Sequence, residues 1–246
     1  MKVLILAGGY GTRLYPIIKD TPKALLEVKQ KPLIDYILNK FESIQGIEEV
    51  VVVTNDKFSG HLTQWSQKHA GLPFSIRVIN DGTRTPEERL GAIGDILFVL
   101  DKEKAATDWV IAGSDNLFDG GVKNFIEFAR TKEKAVTVGA YDIKDISSAS
   151  KYGVMALDQG GKIISLEEKP KNPKSSLISM CLYFLPKASL PLVRQFIDET
   201  HAMDTTGGYI QWLYKKFSVY GFKFSGKWYD IGSLESYNEA QNNFSE

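Results

Sequence analysis

Apolar residues along this chain fall into two alternating rhythms. Residues 3–6 (Val-Leu-Ile-Leu) form a short continuous apolar run ending at Ala7 and a glycine pair, as a buried parallel strand does. Within residues 32–43, Leu33, Ile34, Ile37, Leu38 and Phe41 recur at helical spacing. Residues 49–54 (Glu-Val-Val-Val-Val-Thr) predict a second buried strand, 58–69 a helix, 74–79 a third strand, 89–101 a helix and 109–112 another strand. Strands alternating with helices argue for an open, mostly parallel, doubly wound α/β sheet. Right-handed crossovers then bring the loop after the first strand and the loop around residues 113–118 to the same carboxyl edge.

Past residue 134 the rhythm changes. Residues 135–141, 153–157, 163–167 and 179–184 are short strand-like runs broken by turn residues, and Asp158-Gln159-Gly160-Gly161-Lys162 is a hairpin turn signal because its glycines accept positive φ. They predict a smaller antiparallel or mixed extension. Helices are expected over 190–199, 209–217 and 234–244. No flexible linker, low-complexity tract or repeat separates the parts. One domain over residues 1–246 is expected, with about 1–134 as a nucleotide-binding half and about 135–246 as a second, substrate-binding half.

Composition narrows the class. Hydrophobic residues make up 43% of 246, enough for a substantial core without cross-links or structural metal. The formal net charge is zero, so no global field favours nucleic acid or an anionic membrane, and a polyphosphate would be met by local cations. One cysteine, Cys181, excludes an intrachain disulfide and a cysteine-based zinc site. His61, His69 and His201 lack metal-ligand spacing, and Trp65 and Trp212 sit in helical patterns as core residues do. The amino-terminal apolar run is too short for a signal peptide and no segment is long enough to span a bilayer. A cytoplasmic protein without nucleic-acid or membrane partners is expected.

The chemistry concentrates near the start. Gly8-Gly9-Tyr10-Gly11-Thr12-Arg13-Leu14, followed by Pro16 and then by Pro22-Lys23-Ala24-Leu25, sets glycines beside two cations. Glycines bare backbone N–H groups to a phosphate, and a nearby cation completes the cradle. Leu14 occupies the third glycine position of a dinucleotide fingerprint, and no G-x-x-x-x-G-K-S/T run occurs. A plain glycine turn would need neither Arg13 nor Lys23.

This stretch resembles the signature of the sugar-1-phosphate nucleotidylyltransferases, the family of the glucose-1-phosphate thymidylyl- and uridylyltransferases. Further landmarks follow in the family's order: Leu90-Gly91-Ala92-Ile93-Gly94, Gly113-Ser114-Asp115-Asn116-Leu117-Phe118, Tyr152-Gly153-Val154, Leu166-Glu167-Glu168-Lys169-Pro170 and Trp228-Tyr229-Asp230-Ile231-Gly232. They cover almost the whole chain. The resemblance implies a Rossmann-like nucleotidyltransferase fold and attack of a sugar-1-phosphate oxygen on the α-phosphorus of a nucleoside triphosphate (NTP), with pyrophosphate leaving. Such a reaction is dominated by positioning and charge stabilisation, without a protein nucleophile.

Carried over residue by residue, the resemblance places the nucleotide against Leu6, Ala7, Gly8, Gly9, Gly11, Thr12 and Gly91. Arg13 and Lys23 meet the triphosphate, and Asp115 and Asp230 hold Mg²⁺. Glu168 accepts from sugar hydroxyls, Lys169 meets the sugar phosphate, and Gly153 and Asn116 line the sugar-phosphate side. The sequence departs from the thymidylyl enzymes where they read the pyrimidine with a glutamine. Asn80-Asp81 stands near there, and an aspartate acceptor suits guanine N1/N2 or cytosine N4. Asp95 also replaces a small residue, and Ser179-Met180-Cys181 stands where a small residue followed by glycine is common. The segment 204–209 predicts a loop that caps the helix carrying Trp212 and could close over the sugar.

Two alternatives stay open: nucleotidyl transfer to a phosphorylated non-sugar alcohol such as phosphocholine, and a catalytically silent regulatory subunit that binds nucleotide sugars. Retained Arg13, Lys23, Asp115 and Asp230 weigh against the second. A stand-alone catalytic domain is expected, and self-association into a homo-oligomer is left open.

Overall fold

A computed structural model of the chain describes residues 1–15 and 17–245; Pro16 of the loop motif and Glu246 lie outside the described residues. The chain opens with β1 (Lys2–Leu6), β2 (Glu27–Val28), β3 (Lys31–Pro32), α1 (Leu33–Glu42), β4 (Glu49–Thr54), α2 (Asp56–Gln67) and β5 (Ser75–Asn80). α3 (Gly91–Lys102), β6 (Trp109–Gly113), β7 (Asn116–Phe118), α4 (Lys123–Thr131) and β8 (Val136–Asp142) follow. The remainder is β9 (Gly153–Leu157), β10 (Ile163–Glu168), β11 (Leu177–Leu185), α5 (Pro191–Thr200), α6 (Thr206–Lys216), β12 (Val219–Phe224), β13 (Trp228–Asp230) and α7 (Leu234–Asn243). The expected α/β class holds, with β1, β4 and β5 parallel and antiparallel pairs joining β8 to β11 and β9 to β10.

Two compact units interleave along the chain. The first comprises Met1–Gly91, Ala112–Gly121 and Gly226–Glu246, the second Ala92–Ile111 and Val122–Ser225. The sequence pattern suggests consecutive halves meeting near residue 134. The carboxyl-terminal segment belongs to the first unit because β13 pairs antiparallel with β7, Asp230 opposite Asn116. Strands of three residues leave no periodicity for a sequence pattern to show.

In the first unit β4 lies between β1 and β5, parallel to both, with Leu6 opposite Val53 and Thr54 opposite Asn80. Val50 to Val53 are fully buried, as a strand covered on both faces requires. A second core cluster gathers Leu14 and Ile18 from the loop after β1, Leu33 and Tyr36 of α1, Leu117 of β7, Ile231 and Phe244. Leu14, which breaks the dinucleotide fingerprint, is therefore an anchor that fixes the far end of the glycine loop.

In the second unit β8 lies between β11, antiparallel, and β12, parallel, while β9 pairs with β10 and β11. The expected turn joins β9 to β10: the Asp158 carboxylate accepts from the N–H groups of Gly160 and Lys162, both at 2.8 Å, and Gly161 has φ 82°. The β11–β8 register shifts between Ser179 and Tyr183, a bulge that re-aims the side chains of that stretch. α4, unanticipated from sequence, is only nine residues long and buries Phe125, Ile126 and Ala129.

Candidate functional site

The glycine loop is held from below by the strand beside it. The Ala7 N–H donates to the Val53 carbonyl at 2.9 Å, and the Thr54 hydroxyl donates to the Ala7 carbonyl at 3.1 Å. The Asn55 amide donates to the Gly8 carbonyl at 3.0 Å, while its oxygen accepts from the Phe58 N–H at 3.1 Å and caps α2. Thr54 and Asn55 are both fully buried. Asn55 is thus one side chain serving a helix N-cap and the glycine loop together; its place between a strand and a helix is the sequence signal that could have found it. Asn55→Ala is expected to cost about 2 kcal/mol, one part from the lost cap and one from a buried carbonyl left without its donor. Urea denaturation checks this, and a change below about 0.5 kcal/mol, the range of neutral surface substitutions, would refute it.

Gly11 carries φ 63° and precedes a 3-10 turn over Thr12–Leu14, whose last N–H returns to the Gly11 carbonyl at 2.8 Å. A side chain there would collide with Ile18, so this glycine is required both by conformation and by space. The turn presents Arg13. A second 3-10 turn, Lys23–Leu25, starts behind Pro22 at φ −62° and presents Lys23.

One of these cations meets an aspartate, and the other stands across Gly232 from a second. Lys23 Nζ lies 2.7 Å from an Asp115 carboxylate oxygen. Asp115 sits between β6 and β7, where the Ser114 N–H donates to the Leu6 carbonyl at 3.1 Å and the Asp115 carbonyl accepts from the Ile231 N–H at 3.0 Å. The β7–β13 ladder sets Asp230 one residue before that contact. A Cβ on Gly232 would stand 3.4 Å from the Arg13 guanidinium and 3.6 Å from the nearer Asp230 carboxylate oxygen, so Arg13 and Asp230 flank one bare backbone position. Burial pushes the Asp115 carboxyl up, but Lys23 and, more weakly, Arg13 outweigh it and hold the group below the usual carboxylate range. Asp115 is therefore ionised at neutral pH.

A cavity of about 290 Å³ opens here, all of it within the first unit. Its lining includes Gly9, Gly11, Arg13, Lys23, Arg89 and Asp115. Three cations against one carboxylate make it a receptacle for an anion. Arg89 and Pro86 escaped the sequence reading, since neither has a distinctive pattern, and Ser114 and Gly232 stand inside two of the landmark segments without having been given a role there. Asn80, Asp81 and Gly91 are not in the lining. Asn80 donates to Asp56 at 2.7 Å and accepts from the Gly82 N–H at 2.8 Å, and one Asp81 oxygen accepts from both the N–H and the hydroxyl of Thr83 at 2.7 Å. Asn116 is buried and accepts from the Trp228 indole N–H at 2.8 Å, which positions β13.

The donor set suits magnesium. Among the described residues no group of three or more His, Cys, Asp or Glu is arranged to hold a metal ion. Two carboxylates beside a cationic anion cavity are what a small, hard cation takes when phosphate oxygens and water complete its shell.

Gly153, Glu168 and Lys169 come together in the second unit. Glu168 at the end of β10 pairs with Gly153 at the start of β9. Its carboxyl is raised above the ordinary value by burial, with Lys169 pulling the other way from 3.9 Å. Among the described residues no group donates a hydrogen bond to that carboxylate, so its acceptor capacity is open. Lys169 has φ 47°, a strained setting for a non-glycine residue ahead of a proline, and its N–H donates to the Tyr152 carbonyl at 3.0 Å. The Tyr183 hydroxyl donates to Thr206 at 2.8 Å, and the Gln211 side chain accepts from the Glu168 N–H at 2.6 Å.

Residues 2–246 match the model of the family described as nucleotidyl transferase. A Sulfolobus acidocaldarius protein, provisionally named a mannose-1-phosphate guanyltransferase, is 31% identical over 96% of this chain and 61% of its own length. The chain thus spans about three fifths of that relative. A Neisseria gonorrhoeae glucose-1-phosphate thymidylyltransferase is 30% identical over 98% of the chain and 81% of its own length. A UDP-glucose pyrophosphorylase solved with UDP-glucose superposes with a TM-score of 0.80 over 98% of this chain and 97% of that one, at 23% identity, which speaks for the fold. Among the described residues no helix is long and apolar enough to cross a membrane.

Proposed function

Since this chain belongs to the nucleotidyl transferase family, we propose that it joins a sugar 1-phosphate to the nucleotidyl group of an NTP. A phosphate oxygen of the sugar phosphate attacks the α-phosphorus, the bond to the β-phosphate oxygen breaks, and pyrophosphate leaves carrying the released charge. The observation that supports this most is the convergence of Arg13, Lys23 and Asp115 on one cavity at the end of the glycine loop, with Asp230 beside Gly232 of its lining.

Each residue has a role in that proposal. The loop backbone after Leu6 cradles the phosphates, with Gly8 and Gly9 admitting close approach. Arg13 stabilises charge on the β- and γ-phosphates, a task suited to a guanidinium that cannot lose its proton. Lys23, held by Asp115 before substrate arrives, neutralises the α-phosphate side. Arg89 adds a third cation. Asp115 and Asp230 would hold Mg²⁺, which when bound supplies charge neutralisation to the phosphate oxygens and the leaving group. Glu168 accepts from sugar hydroxyls, and Lys169 meets the sugar phosphate. The buried Tyr10 hydroxyl is held protonated mainly by burial and, more weakly, by the charge of Asp81, so the turn over residues 80–83 stands near the glycine loop. Asp81 keeps its second oxygen for a base donor, which favours guanine or cytosine. An activity drawing on NTPs fits the cytoplasm.

A matrix of the four common NTPs and dTTP against several sugar 1-phosphates tests this by pyrophosphate release. The expected result is release that requires Mg²⁺ and is strong for one base and few sugars. Folded protein that releases none with any pair would overturn the reading in favour of a silent nucleotide-sugar-binding subunit.

A further inference from the structure

We propose that Gly207, in the first turn of α6, is a positioning residue that sets where the Glu168 carboxylate can stand. A Cβ on Gly207 would overlap the carboxylate of Glu168, with Oε1 only 2.7 Å away and Oε2 and Cδ nearer still. From the other side, a Cβ on Gly153 would lie 2.9 Å from Oε2. The carboxylate is therefore seated between two bare backbone positions, one on β9 and one on α6. One turn further along α6, Gln211 accepts from the Glu168 N–H at 2.6 Å, so the same helix locates both ends of the residue.

Local structure gives no other reason for glycine at 207. It lies inside α6 and is absent from the glycines with positive φ. Glycine is a poorer helix former than alanine, so helix propensity does not call for it. Gly208 shares the helix, yet a Cβ there would meet only Thr205 Oγ1 at 3.2 Å and the rim of Phe196 at 4.0 Å. The two neighbours differ in one respect: Gly207 faces the carboxylate and Gly208 does not.

The inference rests on the proposal that Glu168 accepts from the sugar. Displaced by a methyl group, its carboxylate swings off the hydroxyls, and hydrogen bonds to a charged group are worth about 1.5–3 kcal/mol, or about 10- to 100-fold in affinity. The stability cost stays small because the displaced atoms end a flexible side chain, and alanine favours the helix.

The experiment uses steady-state kinetics and thermal melts of the full chain, with the substrate pair that supports turnover. Gly207→Ala should raise the KM for sugar phosphate at least about tenfold, leave the KM for NTP within about twofold, and not lower Tm. Gly208→Ala, the control, should match the parent in both KM values. Glu168→Asp retracts the carboxylate by one methylene, so the double variant Gly207→Ala/Glu168→Asp should come within about threefold of Glu168→Asp alone, the non-additivity expected of two groups in contact. An unchanged sugar-phosphate KM in Gly207→Ala, an equal loss in Gly208→Ala, or additive losses in the double variant would overturn the inference. Glu168→Ala separates the two levels. If it leaves the sugar-phosphate KM unchanged, the acceptor role falls and the inference with it; if it raises KM while Gly207→Ala does not, only the inference falls.

Discussion

Asp115→Asn is expected to lower kcat for pyrophosphate release by about a thousandfold while the protein stays folded. The change keeps shape and removes one negative charge where two polyanions and a divalent cation are to be gathered. Losing a single electrostatic group of this kind costs about 10²–10³ in rate, and loss of a metal ligand adds to it. Stability should change modestly, because the Lys23–Asp115 pair, 2.7 Å long, is only part-buried and solvent still reaches the Asp115 carboxylate. An asparagine oxygen can still accept from Lys23. A magnesium titration should show the half-saturating concentration rising with the fall in kcat. Activity near that of the parent, in a variant with an unchanged melt, would sink the assignment of Asp115 to the metal.

Arg13→Ala is the second large effect: kcat and kcat/KM for the NTP should fall together by about 10²–10³, the signature of an interaction made in the transition state. Arg13→Lys should recover only part, because an ammonium is a point charge and cannot fork across two phosphate oxygens. The guanidinium and the Asp230 carboxylate both lie within van der Waals reach of the Gly232 position. If Arg13→Ala raised the KM for NTP and left kcat intact, Arg13 would be a uniform binding residue and its proposed role in the transition state would fail.

Much of this arrangement is legible along the chain. The valine run of β4 and the helical stripe of α1 appear where their periodicities place them, because burial on two faces or on one stripe writes itself into neighbouring positions. The loop after β1 is readable for the same local reason: Gly11 answers to its own φ and to Ile18. Helix limits shift by a few residues where capping decides them. α2 begins at Asp56 because Asn55 caps it, and α3 begins at Gly91, which enters with φ 79°.

Other features depend on residues far apart in sequence and leave no local mark. β7 and β13 are three residues each and exist through their pairing across about a hundred residues, yet that pairing brings Asp230 to Asp115. Arg89 has no motif and joins the cavity through the path of its loop. Gly207 looks in sequence like a loop residue, and only the carboxylate beside it explains the absent side chain.

The linear chain thus settles the class of fold, the type of the longer periodic elements and the chemistry of the glycine loop, since these follow from periodicity, backbone freedom and side-chain chemistry within a few positions. Which of those residues share a cavity, and which glycines exist to leave room for a neighbour, is settled by long-range pairing and packing. Those terms join residues about a hundred positions apart, and no short window of sequence contains both partners.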